Sequence, residues 1–264
     1  ANNGMLIVIS KKGNKYALQR TVTEVNGEIL SYISEIKKSN SGAIWFASYG
    51  QGLFKYHNNV YTRFSKKEGL QSDNLQSVFI DSKGNIWMGS NQNGVFKYDG
   101  NKFTNYTTAN GLADNMVFGI CENTNGTMFF ATAEGGLSVF HNNRFVTIST
   151  KDGLSSNLIL SVKADMQNNL WLGTNNGLNR LRLRSDFKVE SLKIYTEQNG
   201  LEGTEFIVSN SLFIDKNGIV WAGTSNGLSK YNPAVDFANN TPPTLSLQNI
   251  LLFNQKVNWL QYTE

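Results

Sequence analysis

Short apolar stretches alternate with clusters of Asn, Asp, Gly and Ser along the whole chain, and one unit shows the grammar best. Ser77–Ile80 reads as an apolar strand, 81–85 as a turn and Ile86–Gly89 as a second strand. A turn at 91–94, a third strand at Val95–Tyr98, a hairpin turn at 99–101 and a fourth strand at 102–106 complete it. Asn, Asp and Gly stand where hairpin turns need positive φ. The first two strands are apolar on both faces, as enclosed strands must be, whereas the third and fourth alternate, as half-wet strands do. The pattern therefore predicts the radial order of the strands as well as their existence.

Near copies of the turn and second strand recur at 39–48, 122–132, 165–174 and 215–224. Trp45, Trp87, Phe129 and Trp171 stand 42 residues apart, and Trp221 follows after 50. A repeat of about 40–45 residues of strand-like sequence is that of a four-stranded blade. The fold class predicted is all-β, a β-propeller of about five complete blades plus a half blade. The half unit spans 1–26, with strands near 5–10 and 15–20, because 3–8 aligns with 176–181. Complete units run 27–68, 69–110, 111–152, 153–199 and 200–236, and together with the half unit make a propeller region of 1–236. The aromatic residues Trp45, Trp87, Phe129, Trp171 and Trp221 are expected to be structural. Each packs on the adjacent blade, with Gly89, Ala131, Gly173 or Gly223 two positions on making room.

The period breaks at 237–264. Residues 239–243 read as a linker, and 244–257 as a new β segment that either begins a further module or closes the ring. The chain begins at Ala1 within a repeat and reads as a piece of a longer protein.

Composition agrees with a globular all-β chain: 264 residues, 40% hydrophobic, 24 Gly and only 3 Pro. The net charge of +4 is modest and the basic residues are dispersed. Only Arg180, Arg182 and Arg184 form a dense run, on one face of a strand. A solvated outer strand explains this run better than nucleic-acid binding, which needs a longer basic track with interleaved aromatics. Cys121 is alone, so neither an intrachain disulfide nor a cysteine metal cluster can form. No apolar run approaches a membrane span.

The repeats resemble the two-component regulator propeller family, whose pattern is a Gly-Leu-Ser-x-Asn lead followed by Asp-x-x-Gly-x-Ile-Trp-x-Gly-Thr-x-x-Gly-Leu. Residues 69–98 and 153–181 carry it most fully, and the likeness extends over about 27–232. The tail from Pro242 to Val257 is similar to the start of the β-sandwich module that follows such propellers. The resemblance implies the periplasmic input region of a membrane-anchored hybrid histidine kinase, of the kind that controls polysaccharide use in Bacteroidetes, with a homodimer in the parent protein. Two departures stand out: 129–132 replaces Trp-x-Gly-Thr, and 202–205 replaces the usual Ser-x-Asn. Family propellers commonly have seven blades, more than this chain supplies.

Catalytic patterns are sparse. His57 and His141 fall in equivalent turns between third and fourth strands, which suits a turn role. Asp81, Glu122, Asp165 and Asp215 form a series with partial calcium-loop spacing, but each turn supplies too few oxygen ligands, and acceptors that hold the turn explain it better. No phosphate loop, nucleophile elbow or metal-spaced His/Cys set is present. No catalytic residue, metal or cofactor is therefore expected. A propeller lyase or hydrolase is the alternative, as is a scaffold for protein–protein interaction; a quinoprotein pocket is not visible.

Binding remains. Loops between second and third strands lie on the same side as the blade-to-blade links. That side carries Tyr49, Gln51, Asn91, Gln92, Glu134, Asn175, Asn176 and Asn226, together with Asn74, Asn115 and Asn157. Amides with tyrosine suit sugar hydroxyls, although the same residues also cap turns. The expectation is a non-catalytic extracytoplasmic sensor of oligosaccharide, with no nucleic-acid or membrane contact by this region.

Overall fold

In a computed structural model, described over residues 5–13, 15–207, 210–233, 250–252 and 255–257, the chain is an all-β propeller. An N-terminal hairpin of β1 (Leu6–Lys12) and β2 (Lys15–Val22) comes first, then a short ribbon of β3 (Glu24–Val25) and β4 (Glu28–Ile29). Blade 1 is β5 (Ile33–Lys38), β6 (Ile44–Ser48), β7 (Gly52–His57) and β8 (Val60–Phe64). Blade 2 is β9 (Leu75–Ile80), β10 (Ile86–Ser90), β11 (Val95–Tyr98) and β12 (Phe103–Tyr106). Blade 3 is β13 (Val117–Glu122), β14 (Met128–Thr132), β15 (Leu137–His141) and β16 (Arg144–Ile148). Blade 4 is β17 (Ile159–Ala164), β18 (Leu170–Thr174), β19 (Gly177–Leu183) and β20 (Val189–Tyr195). Blade 5 has three strands among the described residues: β21 (Leu212–Ile214), β22 (Val220–Gly223) and β23 (Leu228–Tyr231).

Every blade is antiparallel in chain order, and neighbouring blades meet through their first strands, β5 on β9, β9 on β13, β13 on β17 and β17 on β21. First strands are thus innermost. The second strands β10, β14 and β18 are buried at every position, while β12 and β16 are half wet. The second and fourth strands follow the hydrophobic pattern. The third strands, expected to alternate, instead carry consecutive buried residues, Val95 and Phe96 in β11 and Leu137–Phe140 in β15, because the neighbouring blades cover both of their faces.

The apolar interior is divided into layers between blades. Trp45, Leu53 and Leu70 share one with Val78, Ile86 and Met88; Trp87 and Val95 share the next with Phe130 and Phe140. Phe129 and Val139 pack with Val162 and Leu172, and Trp171 with Phe206 and Val220. The hairpin covers the outer face of blade 1 through Leu6 and Val22, which lie against Phe46 and Phe54.

Links between blades repeat a motif whose sequence signal is Ser/Thr-x-x-Glu/Asn/Asp-Gly-Leu. Single 3-10 turns at Lys66–Glu68, Thr108–Asn110, Thr150–Asp152 and Glu197–Asn199 each carry a capping box and end on a glycine in the left-handed region. The following leucines, Leu70, Leu112, Leu154 and Leu201, are buried. A backbone clasp then joins successive blades: Gly52 N donates to Asp73 O (2.9 Å), Gly94 N to Asn115 O (2.8 Å), Gly136 N to Asn157 O (3.0 Å) and Gly177 N to Thr204 O (2.8 Å).

Residues 234–264 form a separate unit, in which β24 (Ile250–Leu252) pairs with β25 (Gln255–Val257). The expected linker and sandwich start otherwise lie outside the described residues.

Candidate functional site

Antiparallel pairing puts the beginning of each first strand beside the end of the second, as at Ile33 with Ser48, Leu75 with Ser90, Val117 with Thr132 and Ile159 with Thr174. The loops after the second strands therefore share one face with the entries to the first strands. This upper face carries the amides singled out in the sequence.

Between blades 1 and 2 they join. Tyr49 pairs with Asn74 in an isolated β-bridge, Tyr49 N donates to Tyr32 O (2.9 Å), and Asn91 N donates to Asn74 O (3.1 Å). Asn91 Nδ2 donates to the Tyr49 hydroxyl (3.2 Å), and its Oδ1 accepts from Gln76 Nε2 (3.2 Å). Two tyrosines stand open here, Tyr49 at 39% and Tyr32 at 56% exposure, beside exposed Asn74 and Gln92. The Tyr49 hydroxyl keeps its proton to donate and Asn91 one N–H, so the cluster offers both donors and acceptors.

Other predicted site residues serve the frame. Gln51 is committed at both ends: its Oε1 accepts from Ser31 N (2.7 Å) and its Nε2 donates to Ile29 O (2.8 Å). Asn115 Oδ1 accepts from Thr108 N (2.9 Å) and Asn157 Oδ1 from Thr150 N (2.8 Å), so both hold the 3-10 turns. Asn176 Nδ2 donates to Ser155 O (3.2 Å). Asn226 accepts from Ser225 Oγ (3.1 Å) and lies against Gly203. Glu134 and Asn175 are exposed on the same face, on blades 3 and 4 and apart from the tyrosine corner.

Tyr32 and Gln76 were not among the candidates from sequence. Their signal is positional: at the start of the first strand Tyr32 and Asn74 give way to Met116 and Leu158, and Ser34 and Gln76 to Phe118 and Leu160. The mouth is polar at blades 1 and 2 and apolar at blades 3 and 4.

On the lower face the turn acceptors hold their turns and do more. Asp81 Oδ1 accepts from Lys83 N (3.0 Å) and Asn85 N (2.8 Å), while Oδ2 accepts from the Trp87 indole N–H (2.8 Å). Asp165 binds Trp171 in the same way (3.0 Å), and Asp215 binds Trp221 (3.4 Å). The second member of the series is a correction: Asn123, not Glu122, is the turn acceptor of blade 3, taking Asn125 N (3.1 Å) and Thr127 N (3.0 Å). Glu122 instead reaches back to blade 2, accepting from Ser82 N (2.7 Å) and Ser82 Oγ (2.8 Å).

His57 and His141 end their third strands, and the turns proper are Asn58–Asn59 and Asn142–Asn143, all four at positive φ. His141 Nδ1 lies 3.2 Å from Thr127 Oγ1, and its ring packs on Phe187. The three arginines of the dense run are all engaged: Arg180 over Trp171, Arg182 with Glu190 (3.0 Å) and Arg184 with Asp186 (3.4 Å). Among the described residues no three His, Cys, Asp or Glu side chains converge.

Residues 69–92 and 153–176, in blades 2 and 4, match the family model described as two component regulator propeller. Two of the repeats are thus of the two-component regulator propeller type. No curated protein matches the sequence. Among solved structures, the extracellular domain of a putative hybrid two component system from B. thetaiotaomicron is similar at 18% identity and TM-score 0.63, over 76% of this chain and 29% of that one. PorZ, a surface component of the type-IX secretion system of Porphyromonas gingivalis, aligns at 16% identity and TM-score 0.62, over 87% of this chain and 36% of that one. Virginiamycin B lyase from Staphylococcus aureus aligns at 16% identity and TM-score 0.57, over 76% of this chain and 69% of that one. The propeller described here thus spans under a third of the hybrid-system domain it resembles.

Proposed function

We propose that this propeller is the non-catalytic, extracytoplasmic ligand-binding part of a hybrid two-component signalling protein, and that it senses an oligosaccharide. The observation that carries the reading is the corner of Tyr32, Tyr49, Asn74, Gln76, Asn91 and Gln92. There, two exposed aromatic rings stand beside amides that present donors and acceptors together. Sugars ask for that combination, because each hydroxyl donates and accepts while the C–H face of the ring seeks apolar surface. The apolar half of the mouth at Met116, Phe118, Leu158 and Leu160 extends the surface beyond one sugar unit. Repeats of the two-component regulator type, and a similar fold in an extracellular hybrid-system domain, support placing the propeller ahead of a histidine kinase in the periplasm.

A thermal-shift screen against neutral and acidic oligosaccharides tests this, since a ligand of the native state must raise the melting temperature. The expected result is a rise with one glycan class that is lost in Tyr49→Ala. A panel without any shift contradicts the reading.

A further inference from the structure

The lower face carries two adjoining clefts, one on either side of the turn at 81–84. The first, of about 450 Å³, lies between blades 1 and 2 and is lined by Lys38 and Lys55 together with Asn40. The second, of about 400 Å³, lies between blades 2 and 3 and is lined by Lys83 and Lys97 together with Asn125 and Asn143. Asp81 and Glu122 line both, so the two openings are neighbours. Each has the size of a small-molecule pocket, roughly 300–1,000 Å³.

The lysines reach the clefts by two routes. Lys55 and Lys97 are half-buried on third strands, where the register sets them opposite Trp45 and Trp87. Their ammoniums lie over the indoles at 5.2 and 5.4 Å from the centroids, which fixes where each charge stands. Lys38 ends β5 and Lys83 stands in the turn after β9, both exposed. No other repeat has a cation at either position: Lys38 gives way to Ile80, Glu122, Ala164 and Ile214, and Lys83 to Ser41, Asn125, Gln167 and Asn217. Each cleft thus pairs a lysine held over a tryptophan with one that its own repeat alone supplies.

The carboxylates of the clefts are already engaged. Asp81 accepts from Lys83 N, Asn85 N, Asn85 Nδ2 and the Trp87 indole, and Glu122 accepts from Ser82 N and Ser82 Oγ. Among the described residues none of the four ammoniums has an ion pair. Ammoniums offer donors to an oxyanion, while the exposed amides of Asn40, Asn125 and Asn143 offer donors and acceptors to hydroxyls. A hydroxyl-rich chain with an anionic group on successive units matches both. A nucleic acid does not, because its bases need exposed rings to stack on, and Trp45 and Trp87 are buried.

We propose that the paired clefts on the lower face of blades 1–3 bind an acidic oligosaccharide. Lys38 and Lys55 take the carboxylate or sulfate of one sugar unit, Lys83 and Lys97 take that of another, and the chain crosses the turn at 81–84 between them. This site lies on the face opposite the tyrosine corner and stands independently of it.

The test is calorimetric titration of the whole chain at low salt with hexagalacturonate, a heparin hexasaccharide, maltohexaose and hexathymidylate. Wild type is expected to bind an acidic sugar saturably, the tighter of the two naming the oxyanion, and to bind maltohexaose and hexathymidylate at least about tenfold more weakly. Lys38→Gln and Lys83→Gln are each expected to weaken the acidic sugar about fivefold. Lys216→Gln, which removes the same charge from the equivalent face of blade 5, and Tyr49→Ala are expected to leave it unchanged. No saturable binding of either acidic sugar, equal affinity for hexathymidylate, an equal loss in Lys83→Gln and Lys216→Gln, or a loss in Tyr49→Ala overturns the proposal.

Discussion

The indole N–H of Trp87 donates to Asp81 Oδ2 at 2.8 Å, and across the blade the Lys97 ammonium sits over the same indole at 5.4 Å from its centroid. Blade 4 repeats the arrangement with Asp165, Trp171 and Arg180, and blade 5 with Asp215, Trp221 and Lys230. Blade 3 has lost all three parts together, with Asn123, Phe129 and Val139 at the equivalent positions. A phenyl ring has no N–H to satisfy and offers a weaker face to a cation, so neither the carboxylate nor the cation is needed.

Asp81→Ala is expected to destabilise by about 2–4 kcal/mol, because it strands a buried indole donor and two turn amides at once. Asn123→Ala, which strands turn amides but no indole, is expected to cost less. Urea denaturation of the two variants compares them.

The small residue after each tryptophan is required only where the next blade is close. A Cβ on Gly89 would lie 2.5 Å from Ser77 Oγ and 2.6 Å from Val117 O, whereas on Gly223 the nearest atom is Ser211 O at 3.6 Å. Gly89→Ala is therefore expected to cost about 1–3 kcal/mol by forcing blades 2 and 3 apart. Gly223→Ala is expected to stay within about 1 kcal/mol of wild type. Melting temperatures of the pair separate the effects.

These contrasts show what the sequence could and could not convey. Blade number, strand order and the burial of Trp45, Trp87 and Trp171 follow from period and alternation, which depend on a residue and its near neighbours, whereas Trp221 in blade 5 is only half-buried. The pairing of Asp81 with Trp87 is hidden because the sequence presents the two residues separately, one as a turn acceptor and one as core. Glu122 resembles a turn acceptor in one dimension because it stands beside Asn123, but the register of β13 with β14 turns it towards Ser82. The upper-face candidates divided for a similar reason. An asparagine that caps a 3-10 turn, such as Asn115, and one that stays available, such as Asn74, differ in what faces them rather than in local sequence.

Stability should respond to pH through Lys163. Burial disfavours its charged form and holds its folded-state value below the ordinary 10.5, so between the two values the unfolded chain binds more protons than the native one. Stability from this group is therefore smallest at low pH, where both states are protonated, and grows as pH rises towards 10.5. Denaturation of wild type between pH 7 and 10 is expected to show that rise, and Lys163→Met to lack it.

The hairpin carries an apolar outer face, with Ile7 and Ile9 each 57% exposed, and Phe213 on blade 5 is 61% exposed. Open strand edges with apolar faces associate. Light scattering is expected to show self-association that rises with concentration and falls in Ile7→Lys.

The tyrosine corner carries the proposed binding. Calorimetric titration of wild type and Tyr49→Ala with the oligosaccharide that raises the melting temperature tests it most directly. The expected result is saturable binding by wild type, weakened tenfold or more in Tyr49→Ala at unchanged stability. Equal affinity in the two proteins, or no binding by wild type, would contradict it.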